Sequence, residues 1–171
     1  MLSNTKEHGL SNPDKSLTDR FGRTARKLRL SITDKCNMEC IYCMPRDLDQ
    51  NDEKSGSSIK NNNNNNNKTI RKKWFAKDEV LTYEEFVRIS CIMAKLGIEK
   101  IRITGGEPLM RPRVEELVAR LSEIPGITSV SMTTNGLYLA EKADLLKRSG
   151  LQSVNISLDT FKPERFKSMC G

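Results

Sequence analysis

Four short stretches of this 171-residue chain largely alternate between apolar and polar side chains. Valine, isoleucine, leucine or methionine alternates with arginine, lysine, serine, threonine or asparagine along each of them. A period of two residues is the pattern of a β-strand that buries one of its faces. The predicted strands are residues 27–33, 98–104, 128–133 and 153–158.

The segments between these strands carry helix signals instead. Thr82-Tyr83-Glu84-Glu85 has the form of a capping box, and the helix that it opens is predicted to end near Leu96. Further helices are predicted over 114–122 and 140–148, and Pro163 suits the first turn of a short final helix. The expected buried stripe of the first helix is Phe86, Ile89, Met93 and Leu96.

Strands that alternate with helices predict βαβ units, a parallel sheet and right-handed crossovers. Parallel strands that are covered on both faces are usually apolar throughout, whereas each of these strands has one polar face. We therefore expect an α/β fold with a curved, barrel-like sheet, helices on its apolar face, and a polar interior that suits a phosphate-bearing ligand. An antiparallel sheet with one solvent face is the alternative, which the intervening helices disfavour. The predicted interior residues are Arg29, Ser31, Lys100, Arg102, Thr104, Ser129, Thr133, Asn155 and Ser157.

A loop with three cysteines follows the first predicted strand. Cys36, Cys40 and Cys43 are separated by three and two residues, and three thiolates at such spacing can hold three corners of an iron–sulfur cube. The alternative is a zinc site, which needs a closed set of four ligands. Its remaining candidates are Cys91, Cys170 and His8, of which Cys91 is better explained as a small packing residue.

Two further motifs follow predicted strands. Gly105-Gly106-Glu107-Pro108 follows the second strand, and Thr133-Thr134-Asn135-Gly136 ends the third. Ligands of parallel sheets bind at the carboxyl ends of the strands, where both motifs and the cysteine loop are expected to meet. The backbone of the glycine motif and the Glu107 carboxylate can hold a cationic amine. A plain strand-to-helix turn is the alternative, because short glycine motifs are weak signals.

Composition narrows the classes of function. The net charge of +7 is compatible with nucleic-acid binding, but the nine aromatic residues form no aromatic-rich basic stripe, so we expect no nucleic acid. No apolar run approaches the ~20 residues that cross a bilayer, so we expect no membrane. Five cysteines, three of them in one loop, argue against a disulfide framework and for a reducing compartment.

Two polar segments are expected to lie outside the folded part. Residues 1–20 are predicted to be a flexible leader, and residues 46–73 a disordered insertion that contains a run of seven asparagines at 61–67. The leader mixes acidic and basic residues, unlike most mitochondrial transit peptides. The remainder of 21–171 has the size of a single core.

These motifs resemble those of the radical S-adenosylmethionine (SAM) enzymes, whose signature is this cysteine spacing with an aromatic residue, here Tyr42, before the third cysteine. Within that superfamily, residues 28–36, 101–111 and 133–137 are similar to the MoaA-type GTP 3′,8-cyclases of molybdenum cofactor biosynthesis. The resemblance runs from about Phe21 to the last residue. It implies a partial (β/α) barrel of the radical SAM type, with about four of six βα units.

The resemblance also implies cofactors, a substrate and residue roles. The cofactors are a [4Fe–4S] cluster and SAM, and the reaction is that of a lyase acting on GTP. In such enzymes the reduced cluster passes an electron to SAM, and the resulting 5′-deoxyadenosyl radical removes a hydrogen from C3′ of GTP. The implied contacts are Cys36, Cys40 and Cys43 with the cluster; Tyr42, Gly106, Glu107 and Ser157 with SAM; and Arg29, Arg102 and Thr133 with GTP.

The sequence departs from the family in one respect. MoaA-type enzymes bind a second cluster through three carboxy-terminal cysteines, whereas only Cys91 and Cys170 remain here. We therefore expect activity only with a missing carboxy-terminal half or a dimer partner, and with an external electron donor. The alternatives are a radical SAM enzyme of another substrate class and a non-catalytic cluster- or metal-binding remnant. Eukaryotic family members are mitochondrial, so the resemblance favours the matrix while the leader favours the cytoplasm.

Overall fold

The computed structural model describes residues 17–43 and 74–170, and its framework is a four-stranded parallel sheet with the order β1-β2-β3-β4. The strands are β1 Lys27–Ser31, β2 Lys100–Thr104, β3 Ser129–Thr134 and β4 Ser153–Ile156. The helices are α1 Tyr83–Lys95, α2 Val114–Ser122, α3 Leu139–Arg148 and α4 Pro163–Cys170. Within the described residues an α-helix lies between each pair of neighbouring strands, as expected for βαβ units, so the predicted parallel α/β fold is confirmed.

One face of the sheet forms the core. Leu30, Ile103, Met132 and Val154 are partners across the four strands. The first three of these side chains are buried, and Val154 packs against the same cluster. The apolar faces of the helices complete it, with Leu117, Val118, Leu121 and Leu146 almost fully buried. Burying these side chains supplies most of the stability of such a unit.

The opposite face is polar, as predicted. Arg29, Arg102, Ser131 and Ser153 form one row across all four strands. Ser131 alone in this row is buried, where its hydroxyl donates a hydrogen bond to the carbonyl of Ile101 at 3.2 Å. Helices on one face and a polar row on the other are the arrangement of a partial barrel.

Helix α1 begins as predicted but turns a different face to the core. The Thr82 hydroxyl accepts a bond from the Glu85 N–H at 3.2 Å, and the Glu85 carboxylate accepts one from the Thr82 N–H at 2.7 Å. The core-facing residues are Tyr83, Phe86, Val87, Ser90, Cys91 and Ala94. The predicted stripe was therefore wrong for Ile89, Met93 and Leu96.

Ser90 is the physical reason for this difference. Its side chain is fully buried, and its hydroxyl donates to the Phe86 carbonyl one turn earlier at 2.8 Å. A serine whose hydroxyl is bonded inside its own helix can occupy a core position, since no polar group is left without a partner. Cys91 packs beside it, as the small packing residue that the sequence predicted, although on the core face rather than at its edge.

The boundary of the predicted leader needs correction. Thr18 forms a β-bridge with Thr24, and the Leu17 carbonyl accepts a hydrogen bond from the Ala25 N–H at 2.8 Å. Residues 17–20 therefore belong to the turn that precedes β1. The rest of the predicted leader, and the predicted insertion at 46–73, lie outside the described residues. None of the described helices is both long enough and apolar enough to cross a membrane.

Candidate cofactor site

Three loops meet at the carboxyl edge of the sheet. The loop after β2 donates the Gly106 N–H to the Thr33 carbonyl at 2.6 Å and the Glu107 N–H to the Lys35 carbonyl at 2.7 Å. The turn after β3 donates the side-chain amide of Asn135 to the Asn37 oxygen at 2.8 Å. The structure thus brings both motifs against the loop that carries the three cysteines, as their position after parallel strands predicts.

The two glycines are required by the close packing of these loops. A Cβ atom on Gly106 would lie 2.2 Å from the Lys35 carbonyl oxygen, and one on Gly105 would lie 2.5 Å from the Thr33 carbonyl oxygen. Real Cβ atoms do not approach backbone so closely, so any larger residue would push the two loops apart. The glycines therefore position the start of the cysteine loop.

The expectation for the Glu107 carboxylate has to be corrected. Its side chain is 1% exposed and accepts three hydrogen bonds from the protein itself. Oε1 accepts from the Leu109 N–H at 3.0 Å and the Thr134 hydroxyl at 2.7 Å, and Oε2 accepts from the Asn135 N–H at 2.7 Å. A carboxylate that is enclosed in this way joins the loops after β2 and β3, and it is not free to receive an amine.

The acceptors that remain at this edge belong mainly to the backbone. The carbonyl oxygens of Gly105 and Gly106 accept no hydrogen bond from residues 17–43 or 74–170. Oδ2 of Asp34 accepts the Phe75 N–H at 2.6 Å, while its Oδ1 is buried without a partner in that part of the chain. Acceptors without donors suit a cationic ligand group such as an ammonium.

The three cysteines of the loop are free thiols. Cys36 and Cys40 are half-buried and Cys43 is exposed. The Met38 N–H donates to the Cys36 sulfur at 3.4 Å. In the described part of the chain, no three Cys, His, Asp or Glu side chains converge on a point where one metal ion could sit.

This donor set fits an iron–sulfur cluster better than a single zinc ion. Three sulfur donors on one loop suit a cluster, which takes its ligands at several irons. A structural zinc ion needs four ligands around one point. Cys91 packs against the core instead, and Cys170, although it lies beside the loop, completes no such set within residues 17–43 and 74–170. The chemistry and placement of Cys36, Cys40 and Cys43 therefore fit the cluster.

Helix α4 lies against the cysteine loop, a contact that no local pattern in the sequence predicts. The Glu39 and Ile41 N–H groups donate to the carbonyls of Cys170 and Met169 at 2.8 and 2.9 Å. The Tyr42 hydroxyl donates to Oδ2 of Asp159 at 2.5 Å, and this bond raises the pKa of Tyr42 above its usual value. The carbonyls at the end of a helix lack intrahelical partners, so they can hold a neighbouring loop.

Arg111 is a second contact that the sequence analysis missed. Its guanidinium lies 4.4 Å from the centre of the Tyr83 ring and 5.4 Å from that of Phe86. It donates to the Leu81 carbonyl at 2.6 Å and also to the carbonyl of Ile32, where the chain leaves β1. Arg111 thus connects α1 with the start of the cysteine loop. No spacing rule in the sequence identifies such a partner.

The residues predicted to contact GTP lie on or beside the open face of the sheet. Arg29 is exposed and Arg102 half-buried, and they are direct partners on β1 and β2. Thr133 is half-buried and pairs with Asn155. Ser157, predicted to contact SAM, is exposed just after β4, and its N–H donates to the Thr134 carbonyl at 2.8 Å.

Comparison with known proteins gives the family. The sequence profile of the Radical SAM superfamily matches residues 30–171. The chain belongs to this superfamily. Members of this superfamily use a [4Fe–4S] cluster and SAM as cofactors. The chain also resembles the crystal structure of BtrN in complex with AdoMet and 2-DOIA, with a TM-score of 0.52 at 18% identity over 84% of this chain and 50% of that one. At this identity the likeness shows a common fold.

Curated relatives within the superfamily are more similar in sequence. The chain is 45% identical over 155 residues to the GTP 3′,8-cyclase of Limosilactobacillus fermentum. The matched residues make up 91% of this chain and 40% of that protein. It is 40% identical over 153 residues to the enzyme of the same name from Staphylococcus haemolyticus, and 42% identical over 153 residues to that of Listeria monocytogenes. In both cases 90% of this chain and 39% of the relative are covered. The chain spans about two fifths of the length of these relatives.

Proposed function

We propose that this chain supplies the cofactor-binding part of a GTP 3′,8-cyclase, in the first step of molybdenum cofactor biosynthesis. The observation that carries the proposal is the meeting of the cysteine loop and the glycine loop at one edge of a sheet whose open face bears Arg29 and Arg102. The 40–45% identity to curated cyclases supports GTP as the substrate rather than that of another radical SAM enzyme.

The cofactor roles follow from the site. Cys36, Cys40 and Cys43 hold the cluster, which together with SAM supplies one-electron chemistry when bound. The carbonyl oxygens of Gly105 and Gly106 receive the amine of SAM, because the loop N–H groups are already bonded to the cysteine loop. Tyr42, which bonds to Asp159 just beyond Ser157, and Ser157 itself contact SAM, and Glu107 acts by holding its loop in place.

The substrate role rests on charge. Arg29 and Arg102 are register partners, and neighbouring strands lie about 4.8 Å apart, so the two guanidinium groups can bind one polyphosphate. Arginine suits phosphate because it combines a permanent charge with a planar set of donors. Thr133 adds a hydroxyl on the same face of β3. An external electron donor, and either a second copy or the sequence that the longer relatives contain, complete the proposed system in a reducing compartment.

Anaerobic reconstitution with iron and sulfide tests the cofactor part. We expect a broad charge-transfer absorption that bleaches with dithionite, and cleavage of added SAM to 5′-deoxyadenosine, measured by chromatography. A folded sample that takes up stoichiometric zinc and shows no such absorption would overturn the proposal. Formation of the cyclised nucleotide from GTP is measured separately. It shows whether this chain, which matches only part of its relatives, is sufficient for the cyclisation.

The substrate part is tested by binding. Arg102→Ala should weaken GTP binding about ten- to a hundredfold, since a hydrogen bond to a charged group contributes roughly 1.5–3 kcal/mol. Arg88→Ala, an exposed arginine on α1, is the matched control and should leave the affinity unchanged. Isothermal titration with GTP measures both variants. Equal affinities for wild type and Arg102→Ala would exclude the proposed phosphate site.

A further inference from the structure

A fourth thiol lies against the cysteine loop. Cys170, the last residue of α4, is 2% exposed, and backbone hydrogen bonds hold it against the stretch of the loop that carries Cys40. Cys40 itself is half-buried and can be reached by a small molecule. The family motif accounts for Cys40 but assigns nothing to Cys170.

The backbone fixes this pair of thiols in register. The residue before Cys40 donates its N–H to the Cys170 carbonyl at 2.8 Å, and the residue after it donates to the Met169 carbonyl at 2.9 Å. Cys40 is therefore held from both sides against the last turn of α4.

Asp159 sets the direction of the Cys170 side chain. The Cys170 sulfur lies 3.6 Å from Oδ2 of Asp159, the same oxygen that accepts the Tyr42 hydroxyl at 2.5 Å. Burial and the bond to Cys40 raise the pKa of Cys170 to about 11. The carboxylate of Asp159 thus holds Cys170 beside the cysteine loop.

Two chemical roles could follow from such a pair. A fourth thiolate ligand would require the sulfur of Cys170 to be free to turn to the cluster, whereas in residues 17–43 and 74–170 it lies 3.6 Å from the Asp159 carboxylate. A disulfide needs two cysteines whose backbones are close, and the hydrogen bonds on either side of Cys40 bring its backbone next to that of Cys170. The geometry therefore favours the disulfide.

We propose that Cys40 and Cys170 form a reversible disulfide in the cluster-free protein. The Cys40 thiolate attacks one sulfur of a small-molecule disulfide and displaces its first thiolate. The Cys170 thiolate then attacks the Cys40 sulfur of the mixed disulfide and displaces the second. The two protein thiols lose two protons and two electrons, and the small-molecule disulfide takes up both to become two thiols.

The disulfide and the cluster exclude each other, because both use the sulfur of Cys40. This consequence rests on the proposed function, in which Cys40 is a cluster ligand, whereas the disulfide itself does not. The crosslink would keep an empty cysteine loop docked on α4 until a dithiol reductant frees it for cluster assembly. Because the disulfide and the cluster compete for the sulfur of Cys40, the oxidation state of this thiol pair controls when the loop can take up iron.

The test uses the reduced, cluster-free chain incubated with glutathione disulfide, followed by alkylation and peptide mass mapping. Two of the five thiols should be lost and a Cys40–Cys170 crosslinked peptide should appear. Cys170→Ser should instead accumulate glutathione on Cys40, while the matched control Cys91→Ser should form the crosslink as wild type does. Dithiothreitol should reverse the crosslink and restore iron uptake.

Three results would overturn the proposal. The first is a crosslink among Cys36, Cys40 and Cys43 with Cys170 still alkylated. The second is wild-type protein that accumulates glutathione on Cys40 as Cys170→Ser does. The third is a changed cluster spectrum in reconstituted Cys170→Ser, since this would make Cys170 a ligand. Failure of the reduced wild type to assemble any cluster would reject the proposed function and leave the mapped crosslink unaffected.

Discussion

The loops after β1 and β2 meet at the same edge of the sheet but are held in different ways. The loop after β2 is held by buried hydrogen bonds of the Glu107 carboxylate and by close packing at glycines that leave no room for a side chain. The loop after β1 exposes Ile41, Tyr42 and Cys43, and it takes its shape from backbone contacts with neighbouring elements. One loop is therefore a rigid support, and the other keeps its thiols available for a ligand.

The largest effect is expected when the Glu107 carboxylate, which supports these loops, is removed. Glu107→Ala leaves the Thr134 hydroxyl and the N–H groups of Leu109 and Asn135 without their acceptor. We expect a loss of about 4 kcal/mol in the free energy of unfolding, because buried groups without partners cost roughly 1–3 kcal/mol each. Glu123→Ala, at an exposed position, is the control and should stay within about 0.5 kcal/mol. Denaturant titration measures both, and equal midpoints would show that Glu107 is not a support.

A smaller effect should follow from widening the gap between the two loops. Gly106→Ala places a Cβ against the Lys35 carbonyl, and overpacking against backbone is expected to cost about 3 kcal/mol. Gly126→Ala meets no atom within 4 Å but has a φ of +92°, so it should cost only about 1 kcal/mol through strain. If the two variants unfold at the same denaturant concentration, close packing is not what the glycine provides.

The smallest expected effect concerns the contact that the cysteine loop makes with the turn after β3. A double-mutant cycle with Asn37→Ala and Asn135→Ala should give a coupling energy of about 0.5 kcal/mol, typical of a partly exposed hydrogen bond. A cycle that combines Asn37→Ala with Asn155→Ala, which share no described contact, should be additive. Denaturant titration gives both values, and additivity in the first cycle would show that the two loops are independent.

The sequence predicted elements well where a local rule applies. The capping box at Thr82 and the last helix from Pro163 were found because each depends on residues within one turn. The stripe of α1 was misplaced because Ser90 looks polar in the sequence, while its hydroxyl is bonded to Phe86 inside the helix. Burial of a polar side chain depends on a partner that hydrophobic periodicity does not see.

The candidate site also combines features that the sequence predicts with features that it does not. The order of strands and loops brought the three motifs to one edge of the sheet, and this could be predicted because parallel strands place their carboxyl ends together. The role of Glu107 could not, since its donors lie 2, 27 and 28 residues away along the chain. The same motif is compatible with a ligand contact or an internal bond, and only the packing distinguishes them.

What the sequence by itself determined is the chemistry: the three cysteines, the glycine motif and the alternation that gives the sheet one polar face. These depend on residue type and on spacing along the chain. Tertiary structure alone decided which side chains already have partners within the protein. It placed Arg111 between two aromatic rings, enclosed the Glu107 carboxylate, and set Cys170 against Cys40, which lies 130 positions earlier in the chain. Such contacts join residues that no local periodicity relates, so they exist only once the helices have packed on the sheet.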